Sequence, residues 1–280
     1  MTWVQKPSWR LVTGSNFNDL DCDGPTNMAF DEAILEAVGR GDSLPTLRLY
    51  SWTPPCLSLG YSQPIGDADL GRIEARGWQI VRRLTGGRAI LHTDELTYSV
   101  ALPLDHPIVA GTILDSYRRL SAALLVAVQN IGLNATADKR PRAAANAVGP
   151  VCFEIPSNYE ITASGKKLIG SAQVRKHNAA LQHGSLPLTG DLTRITEALV
   201  FPDEAARHDA AERITRRATT LSDALGYSVT WEQAADAICA AFEQTFSVHF
   251  DQTSLTRAEA NHAAELRETR YADAAWTSKR

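Results

Sequence analysis

The sequence predicts an α+β fold, or a mixed α/β fold, with a central sheet flanked by helices. Strand-like segments crowd the middle of the chain, helical segments lie towards its two ends and once between, and the regular strand–helix alternation of a parallel α/β protein is missing. The chain has 280 residues, 44% hydrophobic and 21% charged. Those proportions allow a sizeable core and argue against extended disorder.

Each element has a local reason. In "TNMAFDEAILEAV", residues 26–38, apolar residues recur at helical spacing behind a Thr/Asn cap and stop before Gly39. "TLRLYSW" and "CLSLGYS" alternate as strands on either side of Pro54 and Pro55. A short helix is expected over 67–76, from Asp67 to the residue before Gly77. "VRRLTGGRAILHTDELTYSV", residues 81–100, reads as strand, glycine-rich turn, strand and strand. "TILDSYRRLSAALLVAVQNIG" is the strongest helical pattern, with Ile113, Tyr117, Leu120, Leu124, Val128 and Ile131 on one stripe and Gly132 as its stop. After a polar, alanine-rich loop over 138–150, "VCFEI", "NYEITA", "KKLIGSAQVRK" and "ALQHGSLPL" read as consecutive strands, with turns at Ser164-Gly165 and His177-Asn178. Helices return at about 230–245 and 255–270, and no linker splits the core.

Composition excludes several function classes. A net charge of −4 and a pI near 6.0 give no general nucleic-acid signal. No stretch approaches the ~18 apolar residues of a membrane span, and the N-terminal stretch has no cationic segment followed by an apolar one. The expected location is cytoplasmic. Four scattered cysteines form no C-x-x-C pair, which suits free thiols in a reducing compartment rather than a zinc knuckle. The seven histidines show no metal-ligand spacing, so no metal is expected. "DLDCDG" imitates the start of a calcium loop, but Phe30 stands where a bidentate Glu is needed. "SGKKLIGS" is not a phosphate loop, because Glu160 replaces its first glycine and no Ser or Thr follows the lysines.

Three segments carry unusual residues for strand regions. Thr85-Gly86-Gly87 strips side chains from a turn beside Arg82, Arg83 and Arg88, so amides can approach a ligand; an ordinary hairpin with solvated arginines is the plainer reading. Lys167 precedes Gly170, Ser171 and Ala172, residues small enough to admit a ligand or a neighbouring backbone; a surface lysine beside a tightly packed strand is the alternative. Cys152 sits between prolines in "PVCFEIPS", where an inert core thiol is the commoner case. Together they supply a thiol, a cation and backbone donors, a set suited to acyl transfer through a thiolate.

These motifs resemble the lipoate/octanoate and biotin transferase superfamily and, within it, the LipM-type octanoyltransferases. The resemblance runs from "NMAFDEA" through R-R-x-T-G-G-R-x-x-x-H and G-K-K-x-x-G-S-A to "RYADAAW", nearly the whole chain. It implies a biotin/lipoate ligase-like catalytic domain over 1–250 and a C-terminal helical segment over 251–280. Carried over, Arg83, Thr85, Gly86, Gly87 and His92 fall on the acyl-binding loop, Lys167 on the family lysine and Cys152 on the acyl-accepting cysteine, and Arg88 is expected to bind substrate beside the loop. ATP-using lipoate ligases of the superfamily typically have a third glycine where this chain has Arg88, and need no nucleophilic cysteine.

The resemblance further implies transfer of octanoate from octanoyl-acyl carrier protein to Cys152 and then to a lysine of a lipoyl-domain protein such as the glycine cleavage H protein, with no cofactor. Amides near Gly170–Ala172 or Gly87 are expected to hold the oxyanion, and His92 and His183 are candidate bases. Lys139, Arg140, Arg142, Arg175 and Lys176 are expected to dock the acidic carrier protein. An ATP-dependent lipoate ligase, or a non-catalytic subunit that binds acyl groups or lipoyl domains, are the other readings.

Overall fold

The computed structural model describes residues 6–13, 23–138 and 160–279. The chain runs through β1 (Ser8–Thr13), α1 (Gly24–Arg40), β2 (Thr46–Tyr50), β3 (Cys56–Leu59), α2 (Leu70–Ala75), β4 (Gln79–Arg82), β5 (Ile90–His92) and β6 (Glu95–Pro103). Then follow α3 (Ile113–Asn130), β7 (Ala135–Asp138), β8 (Glu160–Ala163), β9 (Lys166–Lys176) and β10 (Ala179–Pro187). The C-terminal part holds α4 (Glu204–Arg217), α5 (Leu221–Leu225), α6 (Trp231–Phe246), β11 (His249–Gln252), α7 (Arg257–Leu266) and α8 (Ala274–Thr277).

An eight-stranded mixed sheet has the order β11-β1-β2-β6-β10-β9-β8-β7, with β11, β1 and β2 parallel and the remaining pairs antiparallel. A second sheet has the order β4-β3-β5. The expected mixed sheet flanked by helices is what the chain forms. Strand alternation sorts the main sheet into two unlike faces. Leu47, Leu49, Leu96, Tyr98, Val100, Leu102 and Leu186 join the core built with α3 and α6. The alternate residues of the same strands include Arg48, Thr97, Ser99, His183 and Ser185, all buried, and Tyr50, Ala101 and Leu181, which pack with α1. One face is therefore a hydrocarbon layer and the other a buried polar layer.

The turns at Ser164-Gly165 and His177-Asn178 are as expected: all four residues have positive φ, which matches a two-residue connection to the strand twist. The first helix departs from expectation at both ends. Its N-cap is Asp23, whose carboxylate accepts from the Thr26 amide at 2.7 Å and from Arg267 at 2.8 Å. It also runs through Gly39 and stops at Gly41, where φ is 79°. Gly39 belongs inside the helix because α1 rests on the β9–β10 turn there: a Cβ would stand 1.7 Å from the His177 carbonyl oxygen.

In α3, Leu120, Leu124 and Val128 are buried as expected, but Ile113 is half exposed and Ser116, Ser121, Ala123 and Ala127 complete the buried face. The short helix is α2, capped by Asp69 and preceded by a 3-10 turn, Ile65–Asp67. The C-terminal segment is tied back by buried charge. Arg10 meets Glu259 through two bonds of 2.7 and 2.9 Å, Glu32 accepts from Arg270 and from the Tyr271 hydroxyl, and Arg82 donates to the Thr277 carbonyl at 2.6 Å. No helix among the described residues is long and apolar enough to cross a membrane.

Candidate active site

A pocket opens on the polar face of the main sheet, beside the three-stranded sheet. Its walls include Met28, Trp52 and Ile90, the turn residues Arg83 and Gly87, β9 residues Gly170, Ser171 and Ala172, and Ser58, His92 and His183. Its cavity volume is about 40 Å³. Seven of the sequence-predicted residues thus meet at one place, although they come from separate parts of the chain: Arg83, Gly87, His92, Gly170, Ser171, Ala172 and His183.

Arg83 has a different task from the one its charge suggests. Its guanidinium donates to the carbonyls of Ser58 (2.8 Å), Gly86 (2.9 Å) and Arg88 (2.8 Å), and to the hydroxyls of Ser58 (3.1 Å) and Thr85 (3.2 Å). It folds the glycine turn around itself. Gly87 has φ of 97°, and its carbonyl lies so close to Gly60 that a Cβ there would stand 2.0 Å from it. Gly86 is exposed with open space around it. Arg82 does not face the turn: fully buried, it binds the carbonyls of Gly60, Gln63 and Thr277.

Two histidines flank Arg83 in parallel arrangements. His92 Nδ1 lies 2.6 Å from Glu95 and its Nε2 lies 2.8 Å from the Ser58 hydroxyl. His183 Nδ1 lies 3.3 Å from Asp31 and its Nε2 lies 2.6 Å from the Thr85 hydroxyl. The Trp52 ring stacks on His92 at 4.0 Å, and its indole N–H donates to Thr97, which donates to Glu95. Asp31 also accepts from Arg48 (2.8 Å), Tyr50 (2.9 Å) and Ser99 (2.8 Å).

Burial pushes the Asp31 carboxyl up, but hydrogen bonding from His183 and the charge of Arg48 outweigh it, and the group titrates below its ordinary value. Burial likewise raises Glu95, and His92, Ser185 and Thr97 bring it below its ordinary value. His183 is lowered, chiefly by burial, against the opposing pull of Asp31.

Lys167 is buried further back along β9 and is not among the pocket's walls. Its Nζ meets Glu160 at 2.5 Å. Among the described residues, β9 pairs with β8 as far as Ile169. Cys152 lies outside the described residues, as do Lys139, Arg140 and Arg142. Arg175 is half-buried, and its guanidinium donates to the carbonyls of Val109, Gly111 and Thr112. Lys176 is exposed, with Nζ 3.7 Å from Glu32.

Both cysteines among the described residues are poor nucleophiles. The Cys56 thiol is fully buried and pushed well up by that burial and by the charges of Asp23 and Glu95, and Cys239 is pushed up to about 12, chiefly by burial.

Sequence reasoning missed Asp31, Arg48, Ser58, Glu95 and Glu160. Two signals were present: a charge at the centre of the alternating strand "TLRLY", and an acidic residue in the apolar helix pattern "NMAFDEA".

Residues 23–243 match the lipoyl protein ligase A/B catalytic domain. The chain is 41% identical over 276 residues to the octanoyltransferase LipM of Moorella thermoacetica, covering 98% of both chains. It is 33% identical to the octanoyltransferase LipM of Bacillus subtilis, covering 99% of this chain and all of the other. Among solved structures, the bipartite lipoate protein ligase system of Thermoplasma acidophilum superposes with a TM-score of 0.78 at 24% identity, covering 98% of this chain and 96% of the other. With its sheets, its glycine turn and its pocket residues in these positions, the chain belongs to the lipoyl protein ligase A/B catalytic domain family and, within it, groups with the LipM octanoyltransferases.

Proposed function

We propose that the protein moves an octanoyl group from the phosphopantetheine thiol of acyl carrier protein to a lysine of a lipoyl-domain protein, such as the glycine cleavage H protein, through a thioester on Cys152. The observation that carries this reading is the pocket where the Arg83 turn meets the small residues of β9, in a chain similar over nearly its full length to octanoyltransferases. Met28, Trp52 and Ile90 offer carbon surface to an acyl chain, and each buried methylene contributes about 0.8 kcal/mol.

Cys152 takes the acyl group as its thiolate displaces the carrier thiol. Thioester exchange is nearly isoenergetic and aminolysis runs downhill, so no nucleotide is needed. The Glu160 carboxylate, eight residues beyond Cys152 in the sequence, holds the Lys167 ammonium. The Lys167 ammonium is the cation that favours the Cys152 thiolate and draws the acyl carbonyl. The inert surroundings of Cys56 and Cys239 leave the nucleophile to be sought elsewhere in the chain.

The test is transfer in the absence of ATP. Octanoyl-carrier protein, enzyme and a lipoyl-domain acceptor are mixed, and the acceptor is weighed. One octanoyl group on the acceptor is expected. Transfer only from free acid with ATP would overturn the reading in favour of a ligase.

A further inference from the structure

The acceptor lysine reaches the site as an ammonium, with an ordinary pKa near 10.4, and must lose a proton before it attacks. Lys167 is poorly placed to take it, since its ammonium sits against Glu160. The pocket wall holds two imidazoles, and their surroundings differ in a way that decides between them.

Arg83 donates to both the Ser58 and the Thr85 hydroxyl. In the tautomer a base requires, each hydroxyl donates its remaining proton to the Nε2 beside it and the ring proton sits on Nδ1, facing a carboxylate. Each histidine thus has a hydroxyl on its Nε2 side and a carboxylate on its Nδ1 side. When either gains a proton, its carboxylate must balance the new charge. Asp31 already balances Arg48 at 2.8 Å and stands 3.3 Å from His183. Glu95 pairs with no Arg or Lys among the described residues; its other partners there are the hydroxyls of Thr97 and Ser185, and it stands 2.6 Å from His92. An imidazolium is therefore matched by a free carboxylate charge at His92 and by a shared one at His183. The Trp52 ring, parallel within 10° at 4.0 Å, fixes the His92 plane for this transfer.

We infer that Ser58 and His92, backed by Glu95, form the proton relay that deprotonates the acceptor lysine. The inference rests on the Cys152 thioester reading. The ammonium passes a proton to Ser58 Oγ as the Ser58 hydroxyl proton moves to His92 Nε2, giving an imidazolium paired with Glu95. The neutral amine adds to the thioester carbonyl. As the C–S bond breaks, a second proton from that nitrogen passes to sulfur, leaving an amide and the Cys152 thiol, and His92 releases its proton to solvent. One proton is released per amide formed, as the overall exchange requires.

The test uses acyl-enzyme formed on Cys152 beforehand and isolated, in wild type, His92→Gln and Ser58→Ala. Each is given either a lipoyl-domain lysine or 2,2,2-trifluoroethylamine, an amine that is largely neutral at pH 7 and needs no base. The expected result is a loss of about 100-fold or more with the lysine acceptor in both variants, and a loss of less than about 3-fold with the neutral amine. Equal losses with both amines, or undiminished transfer to lysine, would overturn the relay. Ser58→Ala removes one oxygen and keeps the His92 packing, so it carries the test if His92→Gln fails to fold. Absence of any wild-type adduct on Cys152 would instead overturn the thioester reading.

Discussion

The two faces of the main sheet are built from alternate residues of the same strands, yet they are held in different ways. Towards α3 and α6, Leu47, Leu49, Val100, Leu102 and Leu124 pack as hydrocarbon. Towards α1 and the pocket, Arg48, Ser99, His183 and Asp31 are equally buried but are joined by directed bonds. Hydrocarbon packing tolerates loss of a group in proportion to the space left behind, whereas a polar layer leaves a buried charge unmatched when one partner goes. The pocket lies on the second kind of face, where orientation rather than volume is fixed.

The largest expected effect breaks that contrast at Arg48. Arg48→Met leaves Asp31 without its guanidinium and should cost about 4 kcal/mol in urea unfolding. Adding Asp31→Leu removes the unmatched carboxylate but strips Tyr50, Ser99 and His183 of their acceptor, so it should recover only part of the loss. On the hydrocarbon face, Leu124→Ala should cost about 3 kcal/mol, and no second apolar truncation should restore it. A loss below about 1 kcal/mol for Arg48→Met alone would mean that the polar layer is held by packing, like its counterpart.

Acid should loosen the polar face next. Asp31 and Glu95 have folded-state values below their unfolded ones, so their stabilisation is complete above about pH 4 and is lost as pH falls through the folded values. His183, also lowered, contributes in the same direction: its stabilisation is full above about 6.5 and fades as pH falls through its folded value. Thermal melts from pH 7 to pH 3 should show a falling midpoint, with a shallower fall in Asp31→Asn relative to its own value at pH 7. The smallest effect belongs to the surface: Asp42→Asn, which removes an exposed partner of Arg40, should change stability by about 0–1 kcal/mol.

What the sequence disclosed follows the same division. The Ser164-Gly165 and His177-Asn178 turns, the Leu120–Leu124–Val128 stripe and the glycine turn are local patterns, legible because neighbours in sequence determine them. Asp31, Glu95 and Glu160 gain their meaning from partners on other elements: Arg48, Ser185 and Lys167. Gly39 looked like a stop because its distant neighbour, the His177 carbonyl, is invisible in the linear pattern. α4 was not foreseen because its buried residues are Arg207, Ala210 and Ile214, too few apolar groups to make a stripe. Arg83 was found by its charge and its glycine context, but its bonds to Ser58, Thr85 and the turn carbonyls required the fold.

The central claim is that one cysteine carries the acyl group between donor and acceptor. Intact-protein mass measurement after mixing with octanoyl-carrier protein tests it most directly, in wild type, Cys152→Ala and Lys167→Ala. The account predicts one octanoyl adduct on wild type that is removed by neutral hydroxylamine, a slower-forming one on Lys167→Ala, and none on Cys152→Ala. A hydroxylamine-sensitive adduct that persists on Cys152→Ala, or full transferase activity in that variant, would contradict it.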